Sequence, residues 1–330
     1  MAEVIRNQRD HIFPKDGFHY LKSNSRHGTL IGLTSLLLLL IKLPAERFKG
    51  RKFLHLHVST GKSFYRKLLV ALYGRLFGLS VIVHWHGGRA ESFFNLGINR
   101  LFLGLFNKMS KRWIVLTKSW KDYFISFISE NKITILPNSV TVKENQPKEH
   151  QENKPLEFLF MGVLKPKKGI YDLIEGVNRL QKENDYFIVR IFGKGDVGKI
   201  SELITTLRLE NKVKIEDWIE GDAKEIQLCN SDVILLPSYA EGMPMCLLEG
   251  MAFGMPVIAS NIKGIKDFVV HGRNGFLHES GDVDSLKNFM RSYIENRNQL
   301  TEHSVNAVGV VKEFSHEKAK QMMITLYNEI

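Results

Sequence analysis

The stretch that most constrains the fold runs from Asp232 to Ile258. Asp232-Val233-Ile234-Leu235-Leu236 is a continuous apolar run, as in a strand buried on both faces of a parallel sheet. A loop with Gly242 and Pro244 follows, then a short helix-compatible run. Proline suits a first helical turn, where its missing N–H would have no partner anyway. Gly254 and Pro256 end the helix, and Val257 to Ser260 is the next strand. A strand that returns to its sheet through a helix lies parallel to the first, so this segment commits its part of the chain to an α/β architecture.

The same stretch carries chemistry. Its loop leaves the carboxyl end of a strand, where open α/β sheets bind ligands. The helix start offers unpaired N–H groups and a partial positive charge, which suit a phosphate. Yet Glu241 and Glu249 flank it. Acids beside a phosphate are unfavourable unless they accept hydrogen bonds from the same ligand. Sugar and ribose hydroxyls donate such bonds, each contributing about 1.5–3 kcal/mol. Phosphate together with many hydroxyls points to a nucleotide sugar. Two glutamates with seven residues between them would, alone, be an ordinary αβ unit with solvated acids; the whole string in register outweighs that reading.

That string, E-G-x-P-x-x-x-x-E-x-M-A-x-G-x-P-V over Glu241 to Val257, resembles the retaining GT-B glycosyltransferases of family GT4. Gly250 stands where the usual form has Ala. The resemblance covers residues 52–330 and is strongest over 156–280. It implies an α/β chain with two Rossmann-like domains facing a cleft. The first would be an acceptor-side domain over 1–140. Residues 141–155 hold one apolar residue, Val142, and two prolines, and read as a linker. A nucleotide-sugar-binding domain over 156–313 follows, and a helix over 314–330 returns to the first domain.

Composition sets wider bounds. The 330 residues, 44% hydrophobic, suffice for two domains with real cores. The net charge of +11 favours a polyanionic partner: nucleic acid, an anionic membrane or a phosphorylated substrate. No RNA- or DNA-binding motif accompanies the charge, so nucleic acid is not expected. Cys229 and Cys246 form no disulfide or zinc framework, and both are expected in apolar surroundings of a reducing compartment. Residues 1–26 do not read as a secretory signal. The apolar run Leu30 to Leu43 is too short to span a bilayer, which needs roughly 20 residues. A buried helix is expected there, with a membrane-surface helix as the alternative.

In the first half, strands are expected over 52–58, 81–86, 113–117 and 133–140, and helices over 63–78, 91–109 and 120–129. Gly61-Lys62-Ser63 after a strand is not an NTPase P-loop, because Leu56 occupies the first glycine position. Residues two apart on a strand share a face, so His55 with His57, and His84 with His86, project together. Four histidines could hold a metal; the resemblance implies none, and gives His86 a place near the donor sugar. The Gly-rich loop that opens the family's first domain is absent before residue 50, so this domain reads as short at its N-terminus.

In the second half, strands are expected at 156–162, 186–192 and 213–219, and helices at 171–182, 200–209 and 283–297. The family's G-R-L…K-G segment aligns with Gly162, Val163, Leu164 and Lys168-Gly169. Lys168 would meet the donor diphosphate. Val163 replaces the family's arginine, and Lys165 or Lys167 would compensate. Gly193-Lys194-Gly195 lacks the third glycine of a dinucleotide site. The loop with Trp218 and Ile219 would hold the base through backbone groups; Trp218 reads equally as a core aromatic.

The expected activity is retaining transfer of a sugar from a UDP- or GDP-type donor to a glycan or lipid-linked acceptor, with no cofactor and no metal. Lys168 would offset charge on the leaving diphosphate, helped by N–H groups of Met243, Pro244's successor Met245, and Cys246. Glu249 would hold the ribose diol, and Glu241 with the Gly242–Met243 backbone the donor sugar. His86 would face the sugar or acceptor. Basic residues Arg47, Lys49, Arg51, Lys52, Lys62, Arg66 and Lys67 suggest an anionic membrane surface, hence a cytoplasmic, peripheral protein at the inner face of the membrane. The alternative is a non-catalytic nucleotide-sugar-binding subunit, and a weaker third reading is a sugar epimerase.

Overall fold

The computed structural model describes residues 2–13, 18–21, 29–142, 154–184 and 186–330. Most of the segment expected as a linker, 141–155, lies outside the described residues. The chain divides into two compact units: residues 1–137 with 319–330, and residues 138–318.

The first unit begins with α1 (Ala2–Asn7) and α2 (Thr29–Phe48) and is built on a parallel sheet. Its strands are β1 (Phe53–Val58), β2 (Ser80–Trp85), β3 (Ser110–Val115) and β4 (Ile133–Ile135), hydrogen-bonded in that order. The crossovers are α3 (Lys62–Leu76), then α4 (Ala90–Phe94) and α5 (Gly97–Met109), then α6 (Lys118–Phe124). The expected single helix over 91–109 is therefore two. Leu96 breaks it by taking an extended conformation ahead of Gly97.

Strand alternation sorts this sheet's two faces. Leu56, Val58, Val81, Val83 and Trp85 join Leu39, Phe64, Leu68, Leu103 and Phe106 in one core. Ile82 and Ile114, on the other face, pack with Phe13, Ala319, Met323 and Leu326. The expectation of a buried helix at Leu30 to Leu43 is corrected. Leu39 and Leu43 are buried, but Leu37, Leu38 and Ile41 are exposed, Ile41 by 71%. A helix apolar all round that packs along one side only must leave the rest to solvent. No described helix is long and apolar enough to cross a membrane.

The second unit has a six-stranded parallel sheet: β5 (Leu156–Leu164), β6 (Phe187–Gly195), β7 (Val213–Glu216), β8 (Val233–Leu236), β9 (Val257–Ser260) and β10 (Gly275–His278). Their order is β10-β9-β8-β5-β6-β7. The chain winds outward from β5 to β7, then returns to lay β8 on the other side of β5. Between β5 and β8 lies the topological switch point of this sheet. The helices are α7 (Ile170–Leu180), α8 (Val197–Thr206), α9 (Asp222–Asn230), α10 (Met245–Ala252), α11 (Val283–Glu295) and α12 (Arg297–Val311). The last helix, α13 (His316–Asn328), passes into the first unit at Ala319. Sequence reading missed α9 and α12. Cys229, at the end of α9, is exposed rather than set in apolar surroundings.

Candidate active site

The site forms where the loops after β5 and β8 leave the switch point, the place at which a doubly wound sheet opens a crevice. A tight turn, Pro166–Lys168, ends at Gly169, whose φ of +69° is left-handed. A Cβ at Gly169 would lie 1.9 Å from the carbonyl oxygen of Pro237, so only glycine lets the β5 loop approach the β8 loop this closely. Tyr239 completes the clasp by donating its N–H to the Lys167 carbonyl at 3.0 Å. This approach carries Lys168 to Glu241.

The Lys168 ammonium donates to Glu241 Oε1 at 2.5 Å, with Glu241 buried. Burial works against the charge on Lys168, but the adjacent Glu241 carboxylate outweighs it and holds the ammonium above its usual pKa. One step along the same loop, Gly242 is covered by Gly264, whose missing side chain leaves room for the Gly242 carbonyl. Asn138 donates its side-chain amide to the Met243 carbonyl at 2.8 Å. These contacts fix the backbone from Glu241 to Pro244. Helix α10 then begins at Met245, and its N-cap residue, Pro244, makes no side-chain hydrogen bond to the first N–H groups. Such groups at a helix start can bind an anion.

Glu249, one turn into α10, accepts a hydrogen bond from the ammonium of Lys224 at 2.7 Å. Lys224 is buried although charged, on α9. Cys246 lies within the electrostatic reach of Lys168, Glu241, Glu249 and Lys224, and its burial pushes the thiol up to about 12. It is a neutral group between two ion pairs.

The structure thus gathers Lys168, Glu241, Gly242, Met243, Pro244, Met245, Cys246 and Glu249. Gly162 lies in β5, opposite Gly193 of β6. Lys165 and Lys167 are exposed on the turn, and Val163, at the family's arginine position, is 42% exposed. Trp218 and Ile219 are half-buried beyond the end of β7; Trp218 donates its indole N–H to Glu220 at 3.2 Å and is not a core aromatic. Sequence reasoning missed Lys224, Asn138 and Gly264. Asn138 lies within the strand expected over 133–140, and nothing in the spacing ties it to Met243, or Lys224 to Glu249.

His86 belongs to the first unit, just beyond β2. Its Nε2 is 2.8 Å from His57 Nδ1. His55 Nε2 is 3.1 Å from His84 Nδ1, and His55 Nδ1 is 2.8 Å from the Tyr327 hydroxyl. Burial lowers the pKa of all four imidazoles, that of His55 to about 3, so the rings are neutral. Among the described residues, His55, His57 and His84 are grouped closely enough to share a metal ion.

With this geometry in place, comparison defines the class. Residues 142–308, about half of the chain, match the family described as glycosyl transferases group 1, and the chain belongs to that family. Its fold is of the GT-B type. It superposes on Anabaena HepE in complex with UDP with a TM-score of 0.76 at 18% identity, covering 92% of this chain and 85% of that one. It is also similar to the Escherichia coli UDP-Gal:alpha-D-GlcNAc-diphosphoundecaprenol alpha-1,3-galactosyltransferase, 28% identical over 73% of this chain and 66% of that protein. The Salmonella typhimurium lipopolysaccharide 1,6-galactosyltransferase is 32% identical over 48% of this chain and 45% of that protein. The chain spans 35%, 45% and 66% of the length of three curated relatives it matches.

Proposed function

We propose that this chain is a retaining glycosyltransferase of family GT4. It moves a sugar from a nucleoside diphosphate donor to an acceptor hydroxyl in polysaccharide or lipid-linked glycan assembly. The observation that carries the reading is the pairing of two lysines with the two motif glutamates around the start of α10. A donor would enter with its diphosphate at that helix start. Lys168 would exchange its bond to Glu241 for the diphosphate and offset charge as it leaves. Glu241, released, would accept from hydroxyls of the sugar together with the Gly242–Met243 backbone. Glu249, held by Lys224, would accept from the ribose diol, and the loop of Trp218 and Ile219 would border the base. His86, neutral and oriented by His57, would serve the sugar or acceptor from the first domain. The reaction proceeds on one face of the sugar through an oxocarbenium-like transition state, without an enzymic nucleophile, a cofactor or a catalytic metal.

Galactosyl transfer to a diphosphoundecaprenol-linked acceptor, named for one relative, supports a lipid-linked acceptor here and a cytoplasmic, peripheral location at the inner face of the membrane. The first unit suits such a surface: Leu37, Leu38 and Ile41 of α2, Leu69, Leu72 and Leu76 of α3, and Leu101 of α5 are exposed on its helix-covered side. Exposed Arg47, Lys49, Lys52 and Lys62 would attract anionic headgroups.

The test is a thermal-shift titration with UDP-, GDP-, dTDP- and ADP-sugars on the wild type and on Glu249→Ala. A donor at 100 times its dissociation constant should stabilise the fold by about 2.7 kcal/mol. A shift with one nucleotide, lost in Glu249→Ala, supports the donor site and names the base; no shift with any donor sinks it. The second reading, a non-catalytic nucleotide-sugar-binding subunit, has one observation in its favour. Val163 removes a cation, and Lys165 and Lys167 are both exposed on their turn. Donor binding without transfer or donor hydrolysis would select it.

A further inference from the structure

We propose that His55, His57 and His84 form a binding site for a divalent transition-metal ion of the zinc type, which staples β1 to β2 in the first unit. One nitrogen from each ring lies within 4.8 Å of one from each of the others. Parallel pairing sets His57 directly opposite His84, and strand alternation puts all three rings on one face of the sheet. A zinc ion bound at 2.0–2.1 Å would hold its nitrogens about 3.4 Å apart. The 3.1 Å separation of His55 Nε2 from His84 Nδ1 already approaches this.

The outer contacts fit as well. A metal-ligating imidazole usually gives its second nitrogen to a hydrogen-bond partner, which fixes ring and tautomer. His55 uses Nδ1 for the Tyr327 hydroxyl and His57 uses Nδ1 for His86; His55 Nε2 lies in the hydrogen bond with His84 Nδ1 that an ion would replace. His84 Nε2 is buried and meets no hydrogen-bond partner among the described residues. Without an ion, His55 Nε2 and His84 Nδ1 share one proton in a hydrogen bond; an ion bound through both nitrogens would replace that bond and leave the ring protons on His55 Nδ1 and His84 Nε2. The donor set is neutral nitrogen with no carboxylate, which favours Zn(II), Co(II), Ni(II) or Cu(II) over Mg(II) and Ca(II). Three histidines leave a fourth position open for water.

The ion would act on His86 through His57. With His57 bound through Nε2, its proton stays on Nδ1 and is donated to His86 Nε2, which leaves the His86 proton on Nδ1. Lys67 is the neighbouring charge that opposes the site, since its ammonium bears on His55 and His57.

The experiment uses the tag-free full chain, stripped with chelator and titrated with Zn(II) by calorimetry and with Co(II) by visible absorption. One ion per chain is expected, with the intense absorption of four-coordinate Co(II). His55→Asn and His84→Asn should abolish it, and Tyr327→Phe, which keeps the ring packing, should weaken it 10- to 100-fold. Lys67→Met should tighten binding, and Cys229→Ser should leave it unchanged. Unchanged near- and far-UV circular dichroism checks that each variant is folded. If a histidine variant fails that check, Tyr327→Phe and Lys67→Met carry the test. An absence of stoichiometric binding, or binding indifferent to these changes, overturns the proposal and leaves the imidazoles as a hydrogen-bonded stack. Because the donor site is read separately by nucleotide titration, either result leaves the glycosyltransferase reading to its own test.

Discussion

Lys168 and Glu241 follow strands β5 and β8, separated by two others in sequence, and they meet because Gly169 has no side chain. Gly169→Ala would force both a left-handed backbone and a collision with Pro237. It is expected to cost well over about 1 kcal/mol, seen as a lower urea midpoint. Lys168→Ala removes the cation meant for the leaving diphosphate. Its kcat is expected to fall about 10²–10³-fold with a smaller change in KM for the donor. A rise in KM for the donor with kcat unchanged would instead make Lys168 a ground-state anchor. Lys224 touches no reacting group in the proposed mechanism and is a positioning residue for Glu249. Lys224→Ala should cost about 1.5–3 kcal/mol of stability, the range for a hydrogen bond to a charged group. Nucleotide affinity should fall with it, whereas a merely structural lysine would leave affinity unchanged once the protein is folded.

At the scale of elements, the helices of the first unit are only partly satisfied by the sheet they cover. On α3, Phe64, Leu68 and Ala71 turn inward while Leu69, Leu72 and Leu76 turn out. With Leu37, Leu38 and Ile41 of α2 and Leu101 of α5, they are the exposed apolar side chains on which the membrane reading rests. Replacing Leu69, Leu72 and Leu76 of α3 together with Glu is expected to reduce sedimentation with anionic vesicles at least ten-fold and to leave the thermal midpoint nearly unchanged. If the wild type does not sediment, or does so equally with neutral vesicles, the membrane reading fails. Part of the basic set read from the sequence is already engaged. Glu46 accepts from Lys49 at 3.3 Å and lies 4.0 Å from Arg51, and burial lowers the pKa of Lys67 to about 8. The exposed Arg47, Lys52 and Lys62 are the better candidates for headgroup contact.

Over the whole molecule, buried imidazoles set an acid limit on stability. In the second unit, burial lowers the pKa of His278 and His303 below 6.5. The hydroxyl of buried Tyr293 is 2.7 Å from His303 Nδ1, an arrangement in which a neutral ring accepts from Tyr293. Above pH 6.5 neither the folded nor the unfolded state carries the protons, and the stability is fully present. As the pH falls below 6.5 the unfolded chain takes protons that the folded one resists, and stability is lost until the folded pKa is passed. The slope is at most about 1.4 kcal/mol per pH unit for each group. Urea melts between pH 7 and 5 should show this loss, and His303→Asn should flatten the slope.

The sequence by itself determined the alternation of strands and helices, the parallel sense of the strands and the string from Glu241 to Val257, because period and turn chemistry are local. It also determined which residues share a strand face, and so the pairing of His55 with His57. It placed Lys168 on the strand exit where the structure has it. It did not contain the partners: Lys224 for Glu249, Asn138 for Met243, Tyr327 for His55. Each joins segments far apart in sequence, and only the strand order β10-β9-β8-β5-β6-β7 and the return of α13 decide which loops become neighbours. The burial of α2 was misread for the same reason. Leucine content says that a helix can be covered, and only the packing says which side is.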